Sequence, residues 1–267
     1  MKKCVSITLL IISGFALHRE ALAQKEKEQP LQEVFQAEVV YPQEKGSFQI
    51  TTGLNLHTTS GASFWQIPIN LEYGITDRWQ VGFQGSAIRT NHVVGLSRLG
   101  GGDLGIATKY SLMHVADSNS HLAIGFELSL PIGEISKGMS EGLIQYEPFL
   151  IAARDFPGLK HLQAFTQAGL TIVQRARRGV PEKGETEAHE FSLTSGFFVP
   201  FRQWCITTEF NWATNKWNHD GKESSHSLTP GLVWRLSGNW EIGVGSPISL
   251  GNDSSDSRLI LKVTRDF

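Results

Sequence analysis

The chain has 267 residues, 40% of them hydrophobic, 10% aromatic and only 19% charged. Past the N-terminal stretch no apolar run approaches the ~18 residues of a membrane-spanning helix, so a helical membrane protein is excluded. Plentiful aromatics and short charge blocks exclude a disordered chain, and a formal net charge of −2 gives no footprint for a nucleic-acid partner.

Met1–Ala23 has the three parts of a secretory signal. Lys2 and Lys3 form the basic end, Val5 to Leu17 the short apolar run, and Ala21-Leu22-Ala23 a small-x-small cleavage site before Gln24. This predicts bacterial export, with residues 1–23 removed. Cys4 leaves with the signal and Cys205 is then alone, so neither a disulfide framework nor a Cys-based metal site is expected. Residues 24–46 are rich in Gln, Glu and Lys, with Leu31, Val34, Phe35, Val39 and Val40 embedded. Two readings stay open for them: a periplasmic tail, or a short plug entering from below.

From Ser47 onward the apolar period is two rather than 3.6. Phe48, Ile50, Thr52, Leu54 and Leu56 alternate with Gln49, Thr51, Gly53, Asn55 and His57. The same alternation runs through Trp65–Tyr73, Trp79–Ala87, Leu104–Leu112 and Leu122–Leu130. It blurs over 143–153 and 161–174, where both parities are apolar and Glu147, Gln163 and Gln167 mark the wetter face. It returns over 188–199, Trp204–Trp212, Leu228–Leu236, Trp240–Val244 and Leu259–Phe267. This gives about twelve strands of about 9–12 residues, the length of a tilted membrane-crossing strand and longer than the ~5–6 residues of a soluble sandwich strand.

Connections alternate in length. Gly74–Arg78, Asp155–Gly158, Pro200–Gln203 and Ser237–Asn239 are tight and rich in turn formers. Thr58–Ser63, Asn91–Gly101, Ile132–Gly142, Arg175–Glu187, Ala213–Ser225 and Ser246–Ser257 are longer and polar. Short turns on one rim and long loops on the other fit an outer-membrane barrel. Arg175, Arg177 and Arg178 open one long loop, where lipopolysaccharide is a natural anionic contact.

Six of the seven Trp (Trp65, Trp79, Trp204, Trp212, Trp234, Trp240) share the apolar parity near strand ends, and Tyr73 and Tyr110 fit the same girdle. Indole rings prefer the membrane interface, where the ring meets hydrocarbon and the N–H meets headgroups. Phe267, last in the chain and on the lipid-facing parity, has the form of a barrel-assembly signal. The expected fold is all-β: an antiparallel transmembrane β-barrel of about twelve strands, of the bacterial outer-membrane type, over residues 47–267. Closure is the physical reason, because a hydrocarbon slab cannot satisfy an unpaired ladder edge.

No enzyme constellation stands out. His226 and Ser227 are adjacent and point to opposite faces, and His114 and His121 flank a turn without a metal-ligand set. Gly100-Gly101-Gly102-Asp103 leads into a strand rather than a helix, which argues against a phosphate loop. No catalytic residue, metal or cofactor is therefore expected. By parity Glu72, Lys109, Glu127, Glu147, Glu209, Arg235, Arg258 and Lys262 point inward, as an ion-pair network or a selective constriction. Phe149, Phe165 and Phe198 share that parity, as interior packing or as contacts for an apolar solute.

Three local strings add a resemblance. Tyr73-Gly74-Ile75-Thr76-Asp77-Arg78-Trp79-Gln80-Val81-Gly82, then Gly101-Gly102-Asp103-Leu104-Gly105 through Lys109-Tyr110, then Glu127-Leu128-Ser129-Leu130-Pro131-Ile132-Gly133 resemble the outer-membrane transporters grouped under the meta-pathway of phenol degradation. The likeness covers residues 47–134, with the second half alike in pattern only. It implies a transporter or porin in the outer membrane passing small solutes, with hydrophobic or aromatic compounds as the class, and carries no catalytic residues across. The expected partners are outer-membrane lipids and lipopolysaccharide, the barrel-assembly machinery and a small-molecule solute. The rival expectations are a non-conducting structural barrel and an outer-membrane lipid-modifying enzyme.

Overall fold

The computed structural model describes residues 31–58, 62–93, 96–175, 189–215, 224–236, 239–251 and 257–267. The leader 1–23, Trp217, Arg177 and Arg178 lie outside the described residues.

Strand segments follow one another along the chain. They are β1 (Phe48–Thr58), β2 (Ala62–Thr76), β3 (Trp79–Val93), β4 (Leu96–Gly100), β5 (Leu104–Leu112), β6 (Ser120–Leu130) and β7 (Leu143–Phe156). Then come β8 (Leu162–Arg175), β9 (Glu190–Phe201), β10 (Trp204–Thr214), β11 (Ser224–Leu236), β12 (Trp240–Gly245), β13 (Ile248–Ser249) and β14 (Ser257–Asp266). Both β4 and β5 pair with β3, on either side of a break at Gly101–Asp103. Likewise β12 and β13 both pair with β11 and β14. The segments therefore form twelve antiparallel staves. Each pairs with its chain neighbour, and β1 pairs with β14 from Gln49↔Asp266 to Thr58↔Ser257. That pairing closes the sheet and leaves no edge to be desolvated by lipid.

The period of two places the side chains. Outward positions are large, apolar and exposed: Phe83, Ile124, Phe126, Leu150, Ile206 and Leu232 among them. Inward positions are Gly, Thr, Gln and the charged residues, and most of these are buried. A closed barrel with an apolar outer band is an outer-membrane barrel. Tyr73, Trp79, Tyr110, Trp204 and Trp234 stand exposed near the short-turn rim, and Trp240 is half-buried there. Trp65 and Trp212 are half-buried toward the loop rim. Trp204 and Trp234 are register partners and stack with ring centroids 5.2 Å apart. Trp79 Nε1 donates to Thr108 Oγ1 at 2.7 Å, which satisfies its polar end.

One irregularity matters for the lumen. Pro68 has no N–H to give the ladder, and the β2–β3 register slips there: Ile67 pairs with Ile88 but Pro68 pairs with Ser86. Ala87 is the extra residue of a β-bulge. Simple alternation from Trp79 would put Arg89 on the outer face. The bulge reverses the parity beyond it, and Arg89 lines the interior.

Candidate functional site: the lumen and its N-terminal segment

Residues Leu31–Gln43 run among the inward-facing side chains, with Leu31, Val34, Phe35, Val39, Val40 and Tyr41 buried. An irregular segment must find hydrogen-bond partners for its backbone groups, and the wall supplies them. The Glu209 carboxylate accepts three successive N–H groups: Phe35 at 2.8 Å, Gln36 at 2.7 Å and Ala37 at 3.0 Å. Glu241 accepts the Gln32 N–H at 3.0 Å, Gln167 Oε1 the Glu38 N–H at 2.7 Å, and Gln80 Oε1 the Gln43 N–H at 2.9 Å.

Two lysines complete the attachment. Lys109 Nζ donates to the Val39 carbonyl at 2.7 Å and to Glu38 at 3.2 Å. Lys262 Nζ donates to the Val34 carbonyl at 2.5 Å and to Glu33 at 3.1 Å. The other oxygen of Glu33 accepts from Gln49, Thr51 and Asn70. Lys109 and Lys262 therefore pair with carboxylates of the N-terminal segment rather than with carboxylates of the wall.

Glycines make room for this segment. A Cβ at Gly231, Gly243 or Gly245 would meet the Phe35 ring, and one at Gly74 would meet the backbone of Gln43 and Glu44. Tyr41 ends in a cluster near the short-turn rim. Gln163 Nε2 donates to the Tyr41 hydroxyl at 2.6 Å and to Asp155 at 2.5 Å. His121 Nε2 lies 2.9 Å from the other Asp155 oxygen, and His121 Nδ1 accepts the His114 N–H at 3.1 Å. Because Nδ1 accepts, Nε2 carries the ring proton toward Asp155.

Beside the segment lies a chamber of about 480 Å³. Its wall is mostly amide and hydroxyl side chains, including Asn55, Gln66, Asn70, Gln84, Ser86 and Ser129. Its charged lining comprises Glu33, Glu38, Arg89, Asp103, Glu127, Glu147 and Lys262. The Arg89 guanidinium makes no ion pair or hydrogen bond among the described residues.

Of the inward-parity residues, Glu127, Glu147 and Lys262 line the chamber. Glu72, Lys109 and Glu209 are buried against the N-terminal segment or beside it. Arg235 stands at the short-turn rim, donating to the Arg202 carbonyl, and Arg258 is exposed near the loop rim. Phe149 is buried over Gly125, and Phe165 and Phe198 pack with centroids 6.3 Å apart. Alternation alone missed Arg89, because the bulge is a register event; it sets Glu241 opposite Trp240 on the inner parity, but the bond of Glu241 to Gln32 joins residues distant in the chain. The pairing of Glu209 with residues 35–37 had no local signal either.

The barrel fold has solved counterparts. An outer-membrane channel from Pseudomonas putida F1 matches at 13% identity over 85% of this chain and 98% of that one, with a TM-score of 0.65. The NanC porin matches at 11% identity over 81% and 98%, with a TM-score of 0.58. The KdgM porin matches at 12% identity over 82% and 99%, with a TM-score of 0.54. The fold is that of outer-membrane porins and channels. No protein-family model matches the chain, and no curated protein matches it by sequence.

Proposed function

We propose that this barrel is a passive outer-membrane channel for small solutes, and that aromatic or hydrophobic compounds are its favoured class. The observation that carries the reading is the chamber of about 480 Å³ inside a closed wall, bordered by an N-terminal segment held to that wall through hydrogen bonds and two ion pairs. A polar lining lets a solute exchange its hydration for wall contacts, while charged side chains set preference. The aromatic class is supported by the likeness of residues 47–134 to the transporters of the phenol meta-pathway. In this reading the tight turns face the periplasm and the long loops face outside. The Trp and Tyr girdles meet lipid and lipopolysaccharide, and Phe267 is read by the assembly machinery.

The test is functional reconstitution of the chain without residues 1–23. Planar-bilayer current and liposome swelling should both be seen, with swelling faster for aromatic acids than for sugars of similar mass. A second reading, a closed structural barrel, is favoured by the many bonds that hold residues 32–43 in the lumen. Absence of current and of swelling with every solute would select it over the channel.

A further inference from the structure

We propose that the outer face of β7 and β8 holds one anionic phospholipid, with its phosphate on Arg154 and an acyl chain in the groove at Ala168. Such a site goes beyond the channel reading and stands whether or not the lumen conducts.

The apolar half is a groove of about 660 Å³ in the outer wall, bordered by Ile124 and Phe126 of β6, Pro148 and Leu150 of β7, and Ala168 and Leu170 of β8. Small side chains lead from it toward the short-turn rim. On β7 the exposed outward positions run Pro148, Leu150, Ala152, Arg154. Across the seam Leu150 pairs with Ala168, Ala152 with Thr166 and Arg154 with Ala164. A shallow trough of Ala and Thr therefore joins the groove to Arg154, flanked by the larger Leu122 on β6 and Phe197 on β9. Leu150 and Arg154 are about 14 Å apart along the strand, within the ~15 Å of one hydrocarbon leaflet. A chain that starts at Arg154 reaches the groove without leaving its own leaflet.

The polar half is a cation without an anion. The Arg154 guanidinium lies 5.8 Å from the centroid of the Phe156 ring, two positions nearer the rim, so the side chain reaches toward the headgroup level. It makes no ion pair or hydrogen bond among the described residues. Asp155, its neighbour in sequence, is on the opposite face, held by His121 and Gln163. The next turn adds Lys160, exposed, with Nζ 5.4 Å from the Phe201 ring centroid and no carboxylate partner among the described residues. Residues 156–161 and 200–203 contain Lys160 and Arg202 and no acid, whereas the turns at 74–78 and 113–119 carry Asp77 and Asp117. This sector of the rim is therefore basic. A guanidinium fork at the edge of hydrocarbon fits a phosphate, which accepts two parallel N–H bonds, and the neighbouring lysine favours a headgroup with net negative charge.

The experiment is lipid binding to the detergent-folded chain without residues 1–23, read by native mass spectrometry, with folding checked by heat-dependent gel mobility. Dipalmitoyl phosphatidylglycerol should bind about ten-fold tighter than phosphatidylcholine with the same chains, and Arg154→Gln should abolish that preference. Arg154→Lys keeps the charge but loses the fork and should fall between. Ala168→Trp fills the groove and should weaken both lipids alike. Glycerol 1-phosphate, the same phosphate without chains, should bind far more weakly than the lipid. Arg78→Gln, on the other side of the rim, should change nothing. All of these side chains are on the outer face or in a turn, so the variants should keep the fold. Equal binding of the two lipids would overturn the proposal, as would equal losses in Arg154→Gln and Arg78→Gln. Unweakened binding by Ala168→Trp would remove the groove from the site, and glycerol 1-phosphate binding as tightly as the lipid would make it a site for free phosphate; either result overturns the proposal too.

Discussion

Trp79, near the short-turn rim, and Trp212, toward the loop rim, lie on one continuous row of register partners. The row runs Trp79–Tyr110–Ile124–Leu150–Ala168–Leu193–Trp212. A row perpendicular to the strands climbs from one aromatic girdle to the other because the strands tilt against the barrel axis. Leu150 is its midpoint, 52% exposed on the outer face.

Depth therefore sets the cost of a charge along this row. Leu150→Arg should destabilise the folded barrel by about 2–4 kcal/mol, and Trp79→Arg by about 0–1 kcal/mol for the charge itself. Reversible guanidinium unfolding in phospholipid vesicles measures both. Equal costs at the two positions would show that the row does not cross the hydrocarbon.

Lys109 holds the N-terminal segment through the Val39 carbonyl and Glu38. Lys109→Met keeps the apolar stem but leaves both acceptors without their cation. The attachment should weaken by about 1.5–3 kcal/mol, the range for hydrogen bonds to charged groups. Single-channel recordings should then show larger or more frequent openings than the unaltered chain. Lys262→Met should act in the same direction, since Lys262 repeats the arrangement at Val34 and Glu33. Unchanged recordings from both variants would mean that this segment does not limit current.

The wall was legible in the sequence, because strand parity and girdle placement are local properties repeated at every crossing. Alternation such as Trp204, Ile206 and Phe210 against Cys205, Thr207 and Glu209 assigns a face to each residue without knowledge of its neighbours. The lumen was legible only in part. Glu209 is placed inward by parity, but its three N–H partners lie 172–174 residues earlier in the chain. Arg89 was hidden for another reason: one added residue at Ala87 inverts parity, and only the partner strand shows that Pro68 forces the slip. For residues 24–46 composition offered tail or plug, because contacts of an irregular segment follow no period.

Glu127 and Glu147 are register partners on β6 and β7, so two carboxylates sit side by side on the inner face. Each lies close to a glycine of the next strand, Gly105 and Gly169 respectively. Like charges opposite one another are destabilising by about 0.2–1 kcal/mol, so Glu147→Gln should stabilise the barrel by about that amount. It should also move reversal potentials in a salt gradient toward anions, because the chamber loses a fixed negative charge. Arg89→Ala should move them toward cations, since Arg89 is a chamber cation with no ion pair among the described residues. Shifts of the same sign in both variants would place these side chains outside the ion path.

Phe267 completes the closing seam. Its N–H donates to the Phe48 carbonyl at 2.9 Å, and the two rings stack with centroids 4.6 Å apart and planes within 6°. The contact joins the last residue to the first strand, so it forms only when the barrel shuts. Phe267→Ala keeps the backbone bond and removes the ring pair, a loss of about 0.5–1.5 kcal/mol beyond the area exposed. Because the pair is made only when the barrel shuts, late in folding, the loss should fall on the unfolding rate more than on the rate of folding into vesicles. Phe48→Ala should give the same kinetic pattern, and the double variant should cost less than the sum of the two. An additive double variant would show that the rings act separately, with Phe267 contributing through lipid contact alone.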